Sequence, residues 1–202
     1  MNKKQSSVPT RNTILSAAAN IVLKQGASRM TLEAVAEEAG VSKGGLLYHF
    51  PSKEALIQGM IEQMDQEFKA RIFNEYEKDD FGTNQGRWLR ALIKATFTST
   101  HLELSAGLIA AVLHNPELLE PNRQSYETRQ SLIEQDGIDP VLANIIRFAV
   151  DGLWFSELLA FAPPHESLKA QLMETLLALT TGKYDLKTGQ DDDPGKNIPS
   201  ES

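Results

Sequence analysis

The 202-residue chain carries 41% hydrophobic residues, no cysteine and a formal net charge of −7. That composition fills a globular core and excludes disulfides, thiolate metal sites and cysteine nucleophiles. Met1-Asn2-Lys3-Lys4-Gln5-Ser6-Ser7 leads into no apolar run, and no apolar stretch approaches the roughly 18 residues of a membrane span. A soluble, cytoplasmic protein with no membrane partner is expected.

Helical periodicity dominates from the start. Ile14, Ala17, Ala18, Ile21 and Val22 make one face of a first helix, which Gln25-Gly26 ends with a glycine suited to a left-handed cap. Thr31 is placed to cap a second helix with an inner face of Leu32, Val35, Ala36 and Ala39. Gly40 stops it after two turns. Ser42 caps a short third helix reaching Phe50, and Pro51-Ser52 interrupts the chain again. Ile57, Ile61, Met64, Phe68 and Ile72 then hold helical spacing along a long fourth helix, and 78–84 reads as a loop. Further helices are expected over 85–99, 102–113, 116–135, 139–161 and 165–181. Their punctuation is Asn115-Pro116, Gly137, Asp139-Pro140 and Pro163-Pro164. The fold class is therefore all-α, with about nine helices. Beyond Gly182 the residues Gly, Asp, Lys, Pro and Ser dominate, and a disordered acidic and polar tail is expected over 183–202.

Two short helices joined by Gly40-Val41-Ser42 match a helix-turn-helix. Glycine permits the tight reversal, Val41 plugs the angle between the helices, and Ser42 caps the next one. The third helix is expected to turn Lys43, Gly44, Gly45, Tyr48 and His49 to solvent and Leu46, Leu47 and Phe50 inward. Glycines let a groove come close, Lys43 and the helix N-terminus attract phosphate, and Tyr48 and His49 can donate to phosphates or base edges. Charge is distributed to match: residues 1–58 hold seven Lys/Arg against four acids, a balance of +3, which leaves −10 on the remainder. Lys3, Lys4 and Arg11 form an N-terminal arm that either adds DNA contacts or is simply solvated.

The run from Thr31 to Leu56, TLEAVAEEAGVSKGGLLYHFPSKEAL, resembles the TetR (tetracycline-repressor-like) family of bacterial regulators. The motif-specific resemblance covers roughly residues 9–60. Many members have tyrosine directly after the leucine of the third helix; here that place is Leu47 and the tyrosine follows at Tyr48. The resemblance implies that Thr31, Ser42, Lys43, Tyr48, His49 and Lys53 contact double-stranded operator DNA, mostly at phosphates, with Gly44 and Gly45 permitting close approach. For Thr31, Ser42 and Lys53 the competing role is capping or solvating a helix end.

The chain divides into an N-terminal arm and DNA-binding module over 1–52, a helical effector-binding and dimerisation domain over 53–182, and the tail. A module this small reads two half-sites only as a pair, its recognition helices about 34 Å or a multiple apart. The segment 141–161 is apolar on two faces, one with Leu142, Ile146, Val150 and Leu153, the other with Ile145, Phe148, Ala149, Gly152, Phe155 and Leu159. Two faces need two partners. Family members pair their last two helices between subunits, so a homodimer through about 140–161 and 165–181 is expected. For a small-molecule effector, Trp88, Phe97, Trp154 and Phe155 offer apolar walls, and His101, His114, Arg123, Tyr126, Arg147 and Asp151 offer polar groups. Arg147 and Asp151, four apart, either pair internally or line the pocket.

Catalysis is not expected. His101 and Glu103 lie about 200° apart on a helix and do not converge on a metal; there is no phosphate-cradling glycine loop and no nucleophile elbow, and no cofactor is implied. The expected function is a ligand-responsive transcriptional regulator, a repressor that binds a palindromic operator and is released by its effector. The alternative is a dimeric interaction protein without specific DNA binding.

Overall fold

The computed structural model describes residues 7–98 and 102–181, and every regular element among them is helical. In chain order the α-helices are α1 (Ser7–Gln25), α2 (Leu32–Glu38), α3 (Lys43–His49), α4 (Lys53–Glu77), α5 (Arg87–Phe97), α6 (Leu102–His114), α7 (Glu120–Glu134), α8 (Pro140–Leu158) and α9 (Glu166–Leu179). Single 3-10 turns occupy Ala27–Arg29 and Pro116–Leu119. The expected tail over 183–202 and His101 lie outside the described residues. None of the described helices is long and apolar enough to cross a membrane.

The described residues form two compact units. One is built from 7–69, 102–128 and Glu157–Leu159, the other from Ala70–Thr98, Arg129–Ser156 and 160–181. The first has a continuous apolar core. Ile14, Ala17, Ala18, Ile21 and Val22 of α1 pack with Val35 and Ala36 of α2, Leu46 and Phe50, and Leu56, Ile57, Met60 and Ile61 of α4. Burying each large aliphatic side chain fully stabilises by roughly 1.5–3 kcal/mol, and this is what holds α2 and α3, two helices too short to persist alone. Gly107 brings α6 against α1: a Cβ there would stand 2.6 Å from Val22 Cγ1.

The second unit is organised around buried charge. Arg90 is fully buried and grips Asp79, with Nη2–Oδ2 at 2.6 Å and Nε–Oδ1 at 3.0 Å. Its remaining donors reach the Gln85 and Thr83 carbonyls at 2.6 and 2.8 Å, and Phe81 lies 4.9 Å from the guanidinium. One side chain thus satisfies the loop joining α4 to α5. Burial alone would raise the Asp79 carboxyl, but the Arg90 bond and the charges of Arg90, Lys94 and Arg87 outweigh it and hold it below the usual range. Asp136, from the turn before α8, caps α5 by accepting from the Trp88 and Leu89 amides at 3.0 and 2.9 Å. Burial outweighs those two bonds and pushes its carboxyl up.

Several boundaries differ from expectation, each for a local reason. The helix expected over 116–135 is a 3-10 turn followed by α7; Pro121 has no amide to bond backwards and so sits in the first turn of a new helix. The helix expected to reach Phe161 ends at Leu158, where Ala160 and Ala162 turn left-handed with φ of 53° and 47°. His165 lies outside the last helix as its cap, Nδ1 accepting from the Leu168 amide at 3.2 Å. Asp139 caps α8 as expected, taking the Val141 and Leu142 amides at 2.9 and 3.1 Å.

Candidate functional site

The turn between α2 and α3 follows from its residues. Gly40 has φ of 65°, the left-handed conformation that needs glycine, and its amide and that of Val41 bond back to the Glu37 and Ala36 carbonyls at 3.1 and 3.0 Å. Val41 packs on the core as a plug. Thr31 Oγ1 accepts the Ala34 amide and Ser42 Oγ the Gly45 amide, both at 3.1 Å. Thr31 and Ser42 are thus both caps, and each hydroxyl keeps its proton for a further acceptor.

The α3 helix has one buried and one open side. Leu46 and Phe50, four apart, are core residues. Leu47 was expected inward but is 36% exposed, because one residue is about 100° of rotation and carries it off the Leu46–Phe50 stripe. Gly45 and His49 are half-buried at the flanks of that stripe. Tyr48 projects outward at 82% exposure, its ring edge-on to His49 with centroids 5.2 Å apart. A Cβ at Gly44 would meet nothing within 4 Å among the described residues, so packing against them does not explain that glycine.

The basic residues are held to different degrees. Lys43 Nζ pairs with Glu33 Oε1 at 2.6 Å, both side chains largely exposed. The Lys43 hydrogen bond, the Glu33 backbone amide and the Lys43 charge together hold the Glu33 carboxyl below its ordinary range. Lys53 Nζ donates to the Ala27 carbonyl at 3.1 Å, which ties α4 to the turn after α1 and leaves two ammonium protons for other acceptors. Arg11 lies partly exposed against the fold, 5.2 Å from the Phe50 ring centre and 3.6 Å from Glu62. Lys3 and Lys4 lie outside the described residues.

The expected effector residues are less concentrated. Arg147 and Asp151 do pair, at 3.5 Å, and Trp154 and Phe155 meet edge-on at 5.0 Å. Burial outweighs the nearby Arg147 and Arg129 charges and raises the Asp151 carboxyl. Arg147 Nε is buried with no hydrogen-bond partner among the described residues. Trp88 packs on Tyr76, centroids 4.7 Å apart, and Phe97 is half-buried. His114, Arg123 and Tyr126 are exposed, Arg123 pairing with Glu120 at 2.9 Å. A concavity of about 260 Å3 in the first unit is lined by α1, α4 and α6 and by none of these residues. Sequence reasoning missed Asp79, Arg90 and Asp136, because their partners are 11 and 47 to 48 residues distant and no local period marks them. No group of three or more metal-ligating side chains occurs among the described residues.

Comparison with known proteins matches both parts of the chain. Residues 14–60 fit the family described as "Bacterial regulatory proteins, tetR family", and 86–181 fit "Tetracyclin repressor-like, C-terminal domain". The chain is 30% identical over 150 residues to the HTH-type transcriptional regulator TtgR of Pseudomonas putida, covering 71% of this chain and 69% of that protein. It is also 30% identical over 147 residues to the nucleoid occlusion factor SlmA of Vibrio cholerae, covering 72% and 69%. Among solved structures, the multidrug binding protein EbrR complexed with imidazole superposes with a TM-score of 0.61 at 25% identity, over 84% of this chain and 94% of that one.

Proposed function

The chain belongs to the TetR family of bacterial regulatory proteins, and from that premise we propose that it is a dimeric repressor that binds a palindromic operator and releases it when an effector binds. One observation carries the DNA-binding reading. The α3 helix and its C-cap bury Leu46 and Phe50 in the core while Lys43, Gly44 and Tyr48 stand on the open side, where none of the described residues would meet a Cβ at Gly44. Such a surface meets a duplex at close range: Lys43 and Lys53 reach phosphates, the Thr31 and Ser42 hydroxyls donate to them, and Tyr48 and His49 approach base edges.

The dimer reading rests on α8. Its inner residues Leu142, Ile146 and Val150 are buried, while Val141, Ile145, Phe148 and Phe155 on the other face are 48–64% exposed. Apolar area of this kind on one helix is the signature of an interface with a second copy. The effector reading rests on Arg147 and Asp151, a half-buried pair beside Trp154 with an unsatisfied Arg147 Nε. EbrR is named for binding several drugs and TtgR as a regulator, which supports small-molecule control here. Release requires that the effector bind the DNA-free state more tightly than the DNA-bound state.

The test is a fluorescence-anisotropy titration against duplexes from the chain's own upstream region, at several salt concentrations. A specific complex whose affinity falls steeply with salt is expected. Equal affinity for operator candidates and random duplex at every salt concentration would overturn the reading.

A further inference from the structure

At the end of α3 opposite its Ser42 cap, Phe50 joins that helix to the core of the first unit. It is the C-cap of α3, its amide donating to the Leu46 carbonyl at 2.9 Å, and the residue is only 3% exposed. Two other helices meet its ring. The Arg11 guanidinium of α1 lies 5.2 Å from the ring centre, within reach of a cation–π contact. Gly59 of α4 is buried beside the same ring: a Cβ there would stand 2.6 Å from Phe50 Cε1 and 3.4 Å from Arg11 Nη2. Arg11 Nη2 also reaches Glu62 Oε2 at 3.6 Å, three residues after Gly59 and so on the same side of α4. Both side chains of that ion pair are more than a third exposed, so it contributes little stability; what it adds is a fixed place for the guanidinium over the ring. Tyr48 stands two residues before Phe50 and is 82% exposed, so its direction follows from where the helix is seated rather than from core packing of its own. Hydrogen bonds to base edges are narrow in distance and angle, whereas a lysine on its flexible stem can follow a phosphate. An error in seating α3 therefore costs sequence discrimination more than total affinity.

We propose that Arg11 and Gly59 are positioning residues for sequence discrimination: together they seat the Phe50 ring, and through it set the angle at which α3 carries Tyr48 toward DNA. The proposal rests on the DNA-binding reading of α3. It removes Arg11 from the phosphate contacts that a basic N-terminal arm suggests, because its guanidinium is engaged by Phe50 and Glu62.

Anisotropy titrations of the full chain separate the two roles of Arg11, using the upstream duplex that the wild-type chain prefers and a random duplex, each across a range of salt. Arg11→Met keeps an apolar stem and removes the guanidinium. The ratio of preferred to random affinity is expected to fall about fivefold, the worth of one weak base contact, while the salt slope for random duplex stays as it is. Glu62→Gln, which takes away the partner of Arg11, should lower the same ratio. A phosphate-binding Arg11 gives the reverse: Arg11→Met lowers the slope by about 1, and Glu62→Gln tightens both complexes with the ratio intact. Either of those results overturns the proposal. Gly59→Ala presses a methyl group against Phe50 and should also lower the ratio, with circular dichroism still helical. Amide 1H–15N spectra recorded without DNA give a second readout: Arg11→Met should shift Tyr48 as well as Phe50. Shifts confined to α1 and α4 would refute the proposal, whether or not Gly59→Ala folds. A wild-type chain that binds every duplex equally sinks the DNA-binding reading instead, and the amide shifts then decide by themselves whether Arg11 seats α3.

Discussion

Lys43 on α3 and Glu33 on α2 pair at 2.6 Å across the exposed side of the helix-turn-helix, so the lysine proposed to meet a phosphate already has a carboxylate partner. In the proposed complex DNA displaces that partner. Glu33→Gln removes both the competitor and a negative charge beside the duplex, and should tighten DNA binding a few-fold at low salt, with the gain shrinking as salt rises. Lys43→Ala should weaken binding to all sequences and lower the slope of log affinity against log salt by about 1. Neither change should move the melting temperature measurably, because the pair is exposed.

Tyr48 and Leu46 are two residues apart and should respond in opposite ways. Tyr48→Ala removes an outward ring and is expected to reduce operator affinity at least tenfold, a loss of about 1.4 kcal/mol or more, with unchanged thermal unfolding. Leu46→Ala empties a sealed core position and should cost about 2–5 kcal/mol of stability. Calorimetry beside the anisotropy titration checks both.

Asp79→Ala leaves the buried Arg90 guanidinium without its partner and should cost about 3–5 kcal/mol. The Asp79 carboxyl lies below its unfolded value near 3.9. Its contribution is therefore complete above that pH and is lost as pH falls through the lowered folded value, a decline the variant should lack. Asp136 has the opposite sign: raised when folded, it contributes fully below the unfolded value and loses that contribution as pH rises through the folded one. Urea unfolding of both proteins between pH 2 and about 7 measures the difference.

Phe148 is 60% exposed on the outer face of α8. Phe148→Glu places a charge in the proposed interface and should convert the dimer to a monomer by light scattering at micromolar concentration, while circular dichroism stays helical. Operator affinity should fall with it, since two half-sites are then read separately. A dimer that survives this change would place the interface elsewhere.

The helices of the first unit were legible because each carries its information locally. The α1 stripe, the Gly40 turn, and the Thr31 and Ser42 caps are decided within a few residues of themselves, and the structure places them as read. The two faces of α8 were legible for the same reason. What escaped was non-local or marginal. Leu47 is apolar but sits one step of rotation off the stripe. Asp136 caps a helix 47 residues upstream in sequence through Leu89. Ala160 and Ala162 adopt positive φ without glycine, so nothing in their identity announces the end of α8. The residues expected to bind an effector scatter because an aromatic or a histidine has the same spacing whether it lines a pocket or a core.

The contact at Gly107 bears on how such a chain can diverge. Any side chain there strikes Val22, a stiff β-branched residue packed in the core. Position 107 is therefore closed to stepwise drift unless position 22 shrinks first, and the two make an ordered pair of substitutions. Tyr48 and Lys43 carry no such coupling to the core. The surface proposed to meet DNA can be rewritten one residue at a time, while the joint behind it admits change only in a set order.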